Sequence, residues 1–195
     1  MAQLEKMLSF ARENYIPVML DETRNLLQRL AEENKPKRIL EIGTAIGYSG
    51  IIMLTSSPEA HLNTIEIDEK NAETARANFI EAGVYDRVNI FVGDAREIVT
   101  QLTGRYDFIF LDGPKGQYDS FLPYLTDVLE VGGLLVCDNV LYKGLVEHVP
   151  EHRHKHITIA RNLNKFLNDL NRDKRFSTRL YRIGDGVTVS RRTGE

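Results

Sequence analysis

The chain has 195 residues, of which 42% are hydrophobic and 27% are charged, and this composition is ordinary for a globular protein. Its single cysteine, Cys137, excludes an internal disulfide and is typical of a reducing compartment. No apolar run approaches the ~18 residues of a membrane span, and the N-terminus lacks the apolar segment of a signal peptide. We therefore expect a cytoplasmic protein without a membrane partner.

The formal net charge of −3 is unevenly distributed along the chain. Residues 1–142 carry 13 basic and 22 acidic side chains, whereas residues 143–195 carry 12 basic and 6 acidic ones. A basic C-terminal part favours an anionic partner such as nucleic acid. The alternative is a solvated surface with dispersed charge.

Two helices are predicted at the N-terminus. The first covers 4–14 and ends before Ile16-Pro17-Val18, because proline disfavours a helical conformation in the residue before it. We expect Asp21 to cap the second helix, which has apolar residues at helical spacing and ends before Pro36.

Strands and helices then alternate, which predicts βαβ units and a parallel sheet. The predicted strands are 38–42, 62–67, 88–92, 106–111 and 134–137, and the predicted helices are 47–56, 69–82, 95–102 and 118–129. Asp68 is expected to cap helix 69–82, and Gly132-Gly133 is expected to turn into the last of these strands. Cys137 lies in that strand, which indicates inert core packing.

The C-terminal part has a different pattern, with a helix at 158–170 followed by two β runs at 176–183 and 187–192. Gly184-Asp185-Gly186 between these runs indicates a hairpin. We therefore predict an α/β fold with a seven-stranded, doubly wound sheet, mostly parallel and closed by an antiparallel hairpin. The chain is predicted to be one domain, with N-terminal helices (1–35), a core (36–142) and a loop, helix and hairpin (143–195).

A glycine turn follows the first predicted strand. Gly43 and Gly47 allow tight turning and a close approach of the backbone to a ligand. A dinucleotide fingerprint would need glycine at positions 43, 45 and 48, but Ala45 and Tyr48 occupy two of them. This pattern disfavours a nicotinamide or flavin dinucleotide and favours a ligand with a nucleoside but no pyrophosphate.

Acidic residues end the first three strands. Glu66, at the end of the second strand, is placed to bind both hydroxyls of a ribose, although a surface strand end is the alternative. Asp94 and Ala95 end the third strand and can form a wall near a base. Glu41, in the first strand, either orients an amino group of the ligand or braces the turn into the helix.

Three oxygen donors end the fourth and fifth strands, namely Asp112, Asp138 and Asn139. The carboxyl ends of parallel strands line one crevice, so we expect these side chains to lie close together. Ligation by oxygen alone is typical of Mg²⁺ and argues against zinc. Lys115 follows Asp112 by three residues and is a candidate base. The alternatives are strand-end or capping aspartates and a solvated lysine.

Five segments carry a family resemblance, and together they span most of the chain: Glu41 to Ser49, Ile65 to Asp68, Gly93 to Ala95, Leu111 to Lys115, and Asp138 to Val140. They resemble the class I S-adenosylmethionine-dependent methyltransferases, and more narrowly the cation-dependent O-methyltransferases of the catechol and caffeoyl-CoA type. The resemblance implies that Gly43, Tyr48 and Ser49 line the methionine end of the cofactor. It also places Glu66 at the ribose and Ala95 at the adenine.

The same resemblance implies a Mg²⁺ site and a catalytic pair. Mg²⁺, or a similar divalent cation, would be held by Asp112, Asp138 and Asn139, with Lys115 as the base. The candidate catalytic residues are therefore Lys115 and Asp112. The candidate cofactor contacts are Glu41, Gly43, Gly47, Tyr48, Ser49, Glu66, Asp94, Ala95 and Asp112.

The methyl acceptor is predicted to be a hydroxyl next to a second oxygen, either in a catechol or caffeoyl-like small molecule or in 5-hydroxyuridine of tRNA. Gly113-Pro114 replaces the bulky aromatic residues of the catechol enzyme, which argues against a simple catechol. A bacterial branch that methylates tRNA is similar in length, in Ile16-Pro17-Val18 and in Gly184-Asp185-Gly186. The basic residues that could contact phosphates are Arg153, Lys155, Arg161, Lys165, Arg172, Lys174 and Arg175.

Other interpretations stay open. The run from His152 to His156 is interpreted as a substrate loop, with a metal-binding tract as the alternative. A nucleoside-binding module without catalysis would keep Gly43 and Glu66 but would not need the acidic set with Lys115. A nicotinamide oxidoreductase is the third possibility, and relatives of the resembled family suggest a homodimer.

Overall fold

The computed structural model describes residues 2–147 and 154–194, and within these ranges the chain forms seven strands and seven α-helices. By its contacts the chain divides into two units, residues 1–98 and 99–195. The fold is α/β, and its seven-stranded mixed sheet takes three strands from the first unit and four from the second.

The first unit contains three parallel strands in the spatial order β3-β2-β1. Its helices are α1 (Ala2–Glu13), α2 (Asp21–Asn34), α3 (Tyr48–Ser56), α4 (Glu69–Glu81) and α5 (Ala95–Ile98), and its strands are β1 (Arg38–Ile42), β2 (His61–Glu66) and β3 (Val88–Val92). In β1 every residue after Arg38 is buried, which matches the continuous apolar run in the sequence.

The second unit contains four strands in the spatial order β4-β5-β7-β6. Its strands are β4 (Tyr106–Leu111), β5 (Leu129–Cys137), β6 (Phe176–Tyr181) and β7 (Val187–Arg192), and its helices are α6 (Tyr118–Val128) and α7 (His154–Arg172). β4 and β5 are parallel, whereas β7 is antiparallel to both β5 and β6. The predicted hairpin at Gly184-Asp185-Gly186 is confirmed.

Three local predictions are wrong. Asp21 does not cap α2, because it is the first helical residue and Leu20 occupies the cap position without a side-chain hydrogen bond. The helix predicted over 95–102 ends at Ile98, where consecutive β-branched residues lower helix propensity. The Gly132-Gly133 pair lies inside β5 and does not precede it.

The packing around Gly133 explains why the Gly132-Gly133 pair was wrongly predicted to be a turn before the strand. A Cβ there would lie 2.7 Å from Cδ1 of Leu129 and 3.0 Å from the main-chain oxygen of Asp107. The pairing of β4 with β5 also shifts register between Tyr106 and Phe108. The glycine is therefore required by close packing in an irregular strand, as glycine inside a strand often is.

Two other predictions are confirmed. The carboxylate of Asp68 accepts a hydrogen bond from the backbone N–H of Asn71, 3.0 Å away, and caps α4. Cys137 is fully buried, and burial raises the pKa of its thiol to about 12. In the part of the chain that the structure describes, no helix combines the length and apolar character needed to cross a membrane.

Candidate active site

The glycine turn lies between β1 and α3 in the first unit. Gly43 and Gly47 have positive φ angles of 99° and 83°, and Ala45 has a φ of 46°. Backbone N–H groups of Gly43 and Thr44 donate to the main-chain oxygen of Ile65, at 3.0 and 3.3 Å. The turn is thereby attached to the end of β2, beside Glu66.

Gly47 allows α3 to begin close to α4. A Cβ at this position would lie 3.0 Å from Cζ of Phe79, a fully buried ring of α4. Both the positive φ angle and this contact require glycine. The two residues that follow, Tyr48 and Ser49, are buried.

Glu66 joins the glycine turn to the start of α4. One carboxylate oxygen accepts from the N–H of Ala45 at 2.7 Å, and the other accepts from the N–H of Asp68 at 2.9 Å. The residue is only 7% exposed. A carboxylate held by two backbone donors keeps a fixed orientation and retains lone pairs for further donors.

Glu41 is fully buried behind the turn. Its carboxylate accepts from the hydroxyls of Ser49 and Thr64, the latter at 2.6 Å. The hydroxyl of Thr64 lies 2.5 Å from that of Thr44, which extends the network back into the turn. These contacts match the bracing interpretation of Glu41, and contact with an amino group of a ligand stays a prediction.

The remaining candidates of the first unit lie near its surface or beside α2. Asp94 pairs with Arg96, 2.5 Å between the closest atoms, and hydrogen bonds from Arg96 lower the pKa of Asp94 to about 2. Ala95 begins α5 directly afterwards. Burial raises the pKa of Tyr48, and a hydrogen bond from the guanidinium of Arg24 opposes this shift.

In the second unit, Asp112 and Lys115 form an ion pair after β4. The ammonium of Lys115 lies 2.8 Å from a carboxylate oxygen of Asp112, and the two side chains are 28% and 24% exposed. Lys115 begins a short 3₁₀ turn that ends at Gln117 and leads into α6. This turn holds the amine near the ends of β4 and β5.

Asp138 and Asn139 follow β5. Leu111 pairs with Cys137 in the sheet, so Asp112 and Asp138 continue from neighbouring positions of two adjacent strands. Asp138 is 1% exposed, and its carboxylate accepts from the N–H of Asn139 at 2.7 Å. Asn139 has a left-handed conformation, with a φ of 56°.

The electrostatics of these carboxylates are unusual. Burial, followed by the charge of Asp112, raises the pKa of Asp138 to about 7, and the charge of Asp185 adds to this effect. Burial also raises the pKa of Asp112, while the Lys115 ammonium opposes that shift. A buried carboxylate and a half-buried one at neighbouring strand ends, followed in sequence by the amide side chain of Asn139, are donor types that suit a hard divalent cation.

No group of three or more histidine, cysteine or carboxylate side chains arranged to hold a metal occurs among the described residues. The candidate set has two carboxylates and an amide, so it would leave coordination positions to water or substrate, as Mg²⁺ sites commonly do. His152 and Arg153, from the predicted substrate loop, lie outside the described residues. His154 to His156 belong to α7, so this part of the loop prediction is wrong.

Sequence reasoning missed three residues beside these candidates. The phenol of Tyr118, which is fully buried, lies 3.2 Å from the main-chain oxygen of Leu111 and 3.1 Å from that of Asp138. The amide of Asn162, in α7, donates to the main-chain oxygen of Gly116 at 2.8 Å. Ile67, directly after Glu66, is 72% exposed, and the only signal in the sequence was an apolar residue directly after an acidic one.

Known proteins are similar to this chain in sequence and in fold. A model of the O-methyltransferase family matches residues 1–193. A caffeoyl-CoA O-methyltransferase from Populus kitakamiensis is 31% identical over 186 residues, which are 90% of this chain and 77% of that relative. A catechol O-methyltransferase from Niastella koreensis is 38% identical over 125 residues, which are 62% of this chain and 57% of that relative.

Among solved structures, the O-methyltransferase TomG from Streptomyces achromogenes, in complex with SAM, is 28% identical with a TM-score of 0.88. The match covers 98% of this chain and 90% of that one. The fold is therefore that of a class I methyltransferase, as the sequence predicted. The chain belongs to the O-methyltransferase family.

Proposed function

We propose that this enzyme transfers a methyl group from S-adenosylmethionine to a hydroxyl that neighbours a second oxygen, and that it requires a divalent cation. The observation that carries the proposal is the pair of strand-end aspartates, Asp112 and Asp138, with the Lys115 ammonium 2.8 Å from Asp112. A binding module without catalysis has no need of this arrangement. The family membership supports methyl transfer to oxygen.

The first unit supplies the features of a nucleoside site. Glu66 is held by two backbone donors and keeps lone pairs for ribose hydroxyls. The exposed side chain of Ile67 offers an apolar surface to an adenine ring. The SAM complex of TomG, a structure with the same fold, supports S-adenosylmethionine as the ligand.

Asp112, Asp138 and Asn139 offer the oxygen donors that a cation needs, and the pKa of Asp138, raised by burial and then by the charge of Asp112, supports a compensating positive charge there. When bound there, Mg²⁺ would hold two neighbouring oxygens of the acceptor and favour ionisation of the hydroxyl. Lys115, in its unprotonated form, would accept the hydroxyl proton at Nζ. The acceptor oxygen then forms a bond to the methyl carbon as the carbon–sulfur bond breaks, leaving S-adenosylhomocysteine.

Small catechol or caffeoyl-like compounds are the first candidate acceptors, because the two relatives described above carry these names. A 5-hydroxyuridine of tRNA is the second candidate. It is favoured by a groove of about 380 Å³ on the exposed side of α7, lined in part by Arg161, Lys165 and Arg172. Lys165 is paired with Asp169 at 2.7 Å, so Arg161 and Arg172 are the stronger phosphate contacts.

Transfer of a labelled methyl group tests the proposal. The wild-type enzyme is incubated with labelled S-adenosylmethionine and either a caffeoyl or catechol compound or tRNA that contains hydroxyuridine, with Mg²⁺ or with EDTA. We expect Mg²⁺-dependent labelling that Lys115→Met reduces at least about a hundredfold, whereas Lys70→Met, an exposed lysine of α4, leaves it unchanged. Equal labelling in EDTA would contradict the cation requirement.

The two acceptors are separated by charge removal on α7. If tRNA is the acceptor, the double variant Arg161→Gln, Arg172→Gln should label tRNA less and show a weaker salt dependence. The matched control is Lys70→Gln, Arg76→Gln, which removes two exposed charges from α4. Equal tRNA labelling by both double variants would remove α7 from the acceptor site.

A further inference from the structure

The segment that follows the proposed cation ligands has an unfavourable backbone conformation. Asn139, Tyr142 and Lys143 have φ angles of 56°, 47° and 57°. None of the three is glycine, and the left-handed region is disfavoured for residues with a Cβ. Such a conformation persists only where surrounding contacts determine it.

Those contacts come from the tip of the β6–β7 hairpin. The N–H of Val140 donates to the main-chain oxygen of Gly186 at 3.0 Å, and the N–H of Leu141 donates to that of Asp185 at 2.9 Å. The N–H of Lys143 donates to the carboxylate of Asp185. The hairpin tip thus accepts three of the four N–H groups from position 140 to position 143.

The fourth N–H, that of Tyr142, donates to the main-chain oxygen of Asn139 at 3.2 Å, which closes a turn. Gly186 allows the hairpin to reach this turn, because a Cβ there would lie 2.4 Å from Cγ of Leu141. Asp185 is the side chain that completes the set of acceptors. Its removal would leave the N–H of Lys143, a left-handed residue, without its acceptor.

We infer that Asp185 is a positioning residue, whose hydrogen bond to Lys143 keeps residues 139–143 in the conformation that presents Asp138 and Asn139 to a divalent cation. The consequence for the cation rests on the proposed function. Residues that orient metal ligands commonly change metal affinity by about 10–100-fold when they are replaced. In this role Asp185 acts through the backbone N–H of Lys143.

Three variants separate the hydrogen bond from the charge. Asp185→Ala removes both, Asp185→Asn keeps a side-chain oxygen that can accept from Lys143, and Asp127→Ala removes the same charge from an exposed position at the end of α6. The first readout is hydrogen exchange of the amides at 140–143 in EDTA. The second is the affinity for Mg²⁺ by isothermal titration calorimetry.

We expect Asp185→Ala to speed exchange at Lys143 about tenfold or more and to weaken Mg²⁺ binding about 10–100-fold. Asp185→Asn should stay within about threefold of the wild type in amide exchange, and Asp127→Ala should match the wild type in both readouts. Because the charge of Asp185 also acts on Asp138, Asp185→Asn should weaken Mg²⁺ binding, but less than Asp185→Ala does. Unchanged exchange in Asp185→Ala, or a defect in Asp185→Asn as large as that in Asp185→Ala, would overturn the assignment. A wild type that does not bind Mg²⁺ would instead refute the proposed cation site, while the exchange readout still decides the role of Asp185.

Discussion

The phenol oxygen of Tyr118 lies 3.1 Å from the main-chain oxygen of Asp138, and the same phenol lies 3.2 Å from that of Leu111. Its single proton is shared between the last carbonyl group of β4 and the first carbonyl group after β5. Each carbonyl is next to one of the carboxylates proposed to hold the cation. One buried hydroxyl therefore links the ends of β4 and β5 next to the two carboxylates that are proposed to bind the cation.

Removal of that hydroxyl should loosen the strand ends. We expect Tyr118→Phe to lower the free energy of unfolding by about 1–3 kcal/mol, because two buried carbonyls lose a donor. Mg²⁺ affinity should also fall. Urea denaturation in EDTA and calorimetric titration with Mg²⁺ measure the two effects. Tyr124→Phe is the control, since Tyr124 is on the same helix but 45% exposed. Equal stability of the two variants would show that the phenol carries no such link.

Asp138 should make the metal-free protein less stable as pH rises. Its pKa is about 7 in the folded chain against an ordinary value of 3.8, so between these pH values the folded state binds more protons than the unfolded state. The contribution is fully present below about pH 4 and is lost as pH rises through 7. We expect the stability difference between wild type and Asp138→Asn to change by up to about 4 kcal/mol across this window.

Urea denaturation in EDTA at several pH values between 4 and 7.5 measures that difference. Asp127→Asn, at an exposed position, should follow the wild type. Addition of Mg²⁺ at pH 7.5 should raise the free energy of unfolding of the wild type and leave that of Asp138→Asn unchanged. A parallel pH dependence of wild type and Asp138→Asn would contradict the raised pKa.

Glu66→Gln should weaken binding of S-adenosylmethionine. The substitution removes a charged acceptor and directs an amide nitrogen toward an N–H group, either that of Ala45 or that of Asp68. Hydrogen bonds to a charged group contribute about 1.5–3 kcal/mol, so we expect a 10- to 100-fold rise in the dissociation constant. Calorimetric titration checks this, with Glu69→Gln, an exposed residue of the first turn of α4, as the control. Unchanged affinity would remove Glu66 from the ribose site.

Asn162→Ala should slow the chemical step without changing cofactor affinity. Its amide holds the carbonyl of Gly116, inside the 3₁₀ turn that carries Lys115. A base displaced by about 1 Å can reduce the rate about a hundredfold. We expect kcat to fall about 10- to 100-fold with an unchanged dissociation constant for S-adenosylmethionine. Asn171→Ala, at an exposed position of the same helix that does not line the α7 groove, is the matched control.

The strand ends could be predicted because a buried parallel strand is a continuous apolar run, and the acidic residue that ends it interrupts that run. This pattern located β1, β3 and β4 to the residue and placed Asp112 and Asp138 on neighbouring strands. The turn chemistry of Gly184-Asp185-Gly186 located the hairpin for a similar local reason. In each case the physical cause is contained within a few consecutive residues.

The contacts that support the site are not local and could not be predicted in this way. Asn162 reaches a carbonyl 46 residues earlier in the chain, and Tyr118 reaches two carbonyls at the ends of different strands. Every residue has a backbone oxygen, so the sequence around a donor does not indicate which oxygen accepts its hydrogen bond. Gly133 likewise depends on the close approach of Asp107 from another strand, so its sequence resembled an ordinary turn.

Cys137, immediately before Asp138, has a further consequence. Its sulfur is fully buried, and because its pKa is about 12 it stays a thiol at neutral pH. Thiolates are the forms that alkylating agents and peroxides attack, so the thiol of Cys137 is protected from such reagents although it directly precedes a proposed cation ligand. A cysteine introduced on the surface, for example at Tyr124, would therefore be labelled selectively in the folded enzyme. Spectroscopic probes could then be attached without first blocking or replacing Cys137.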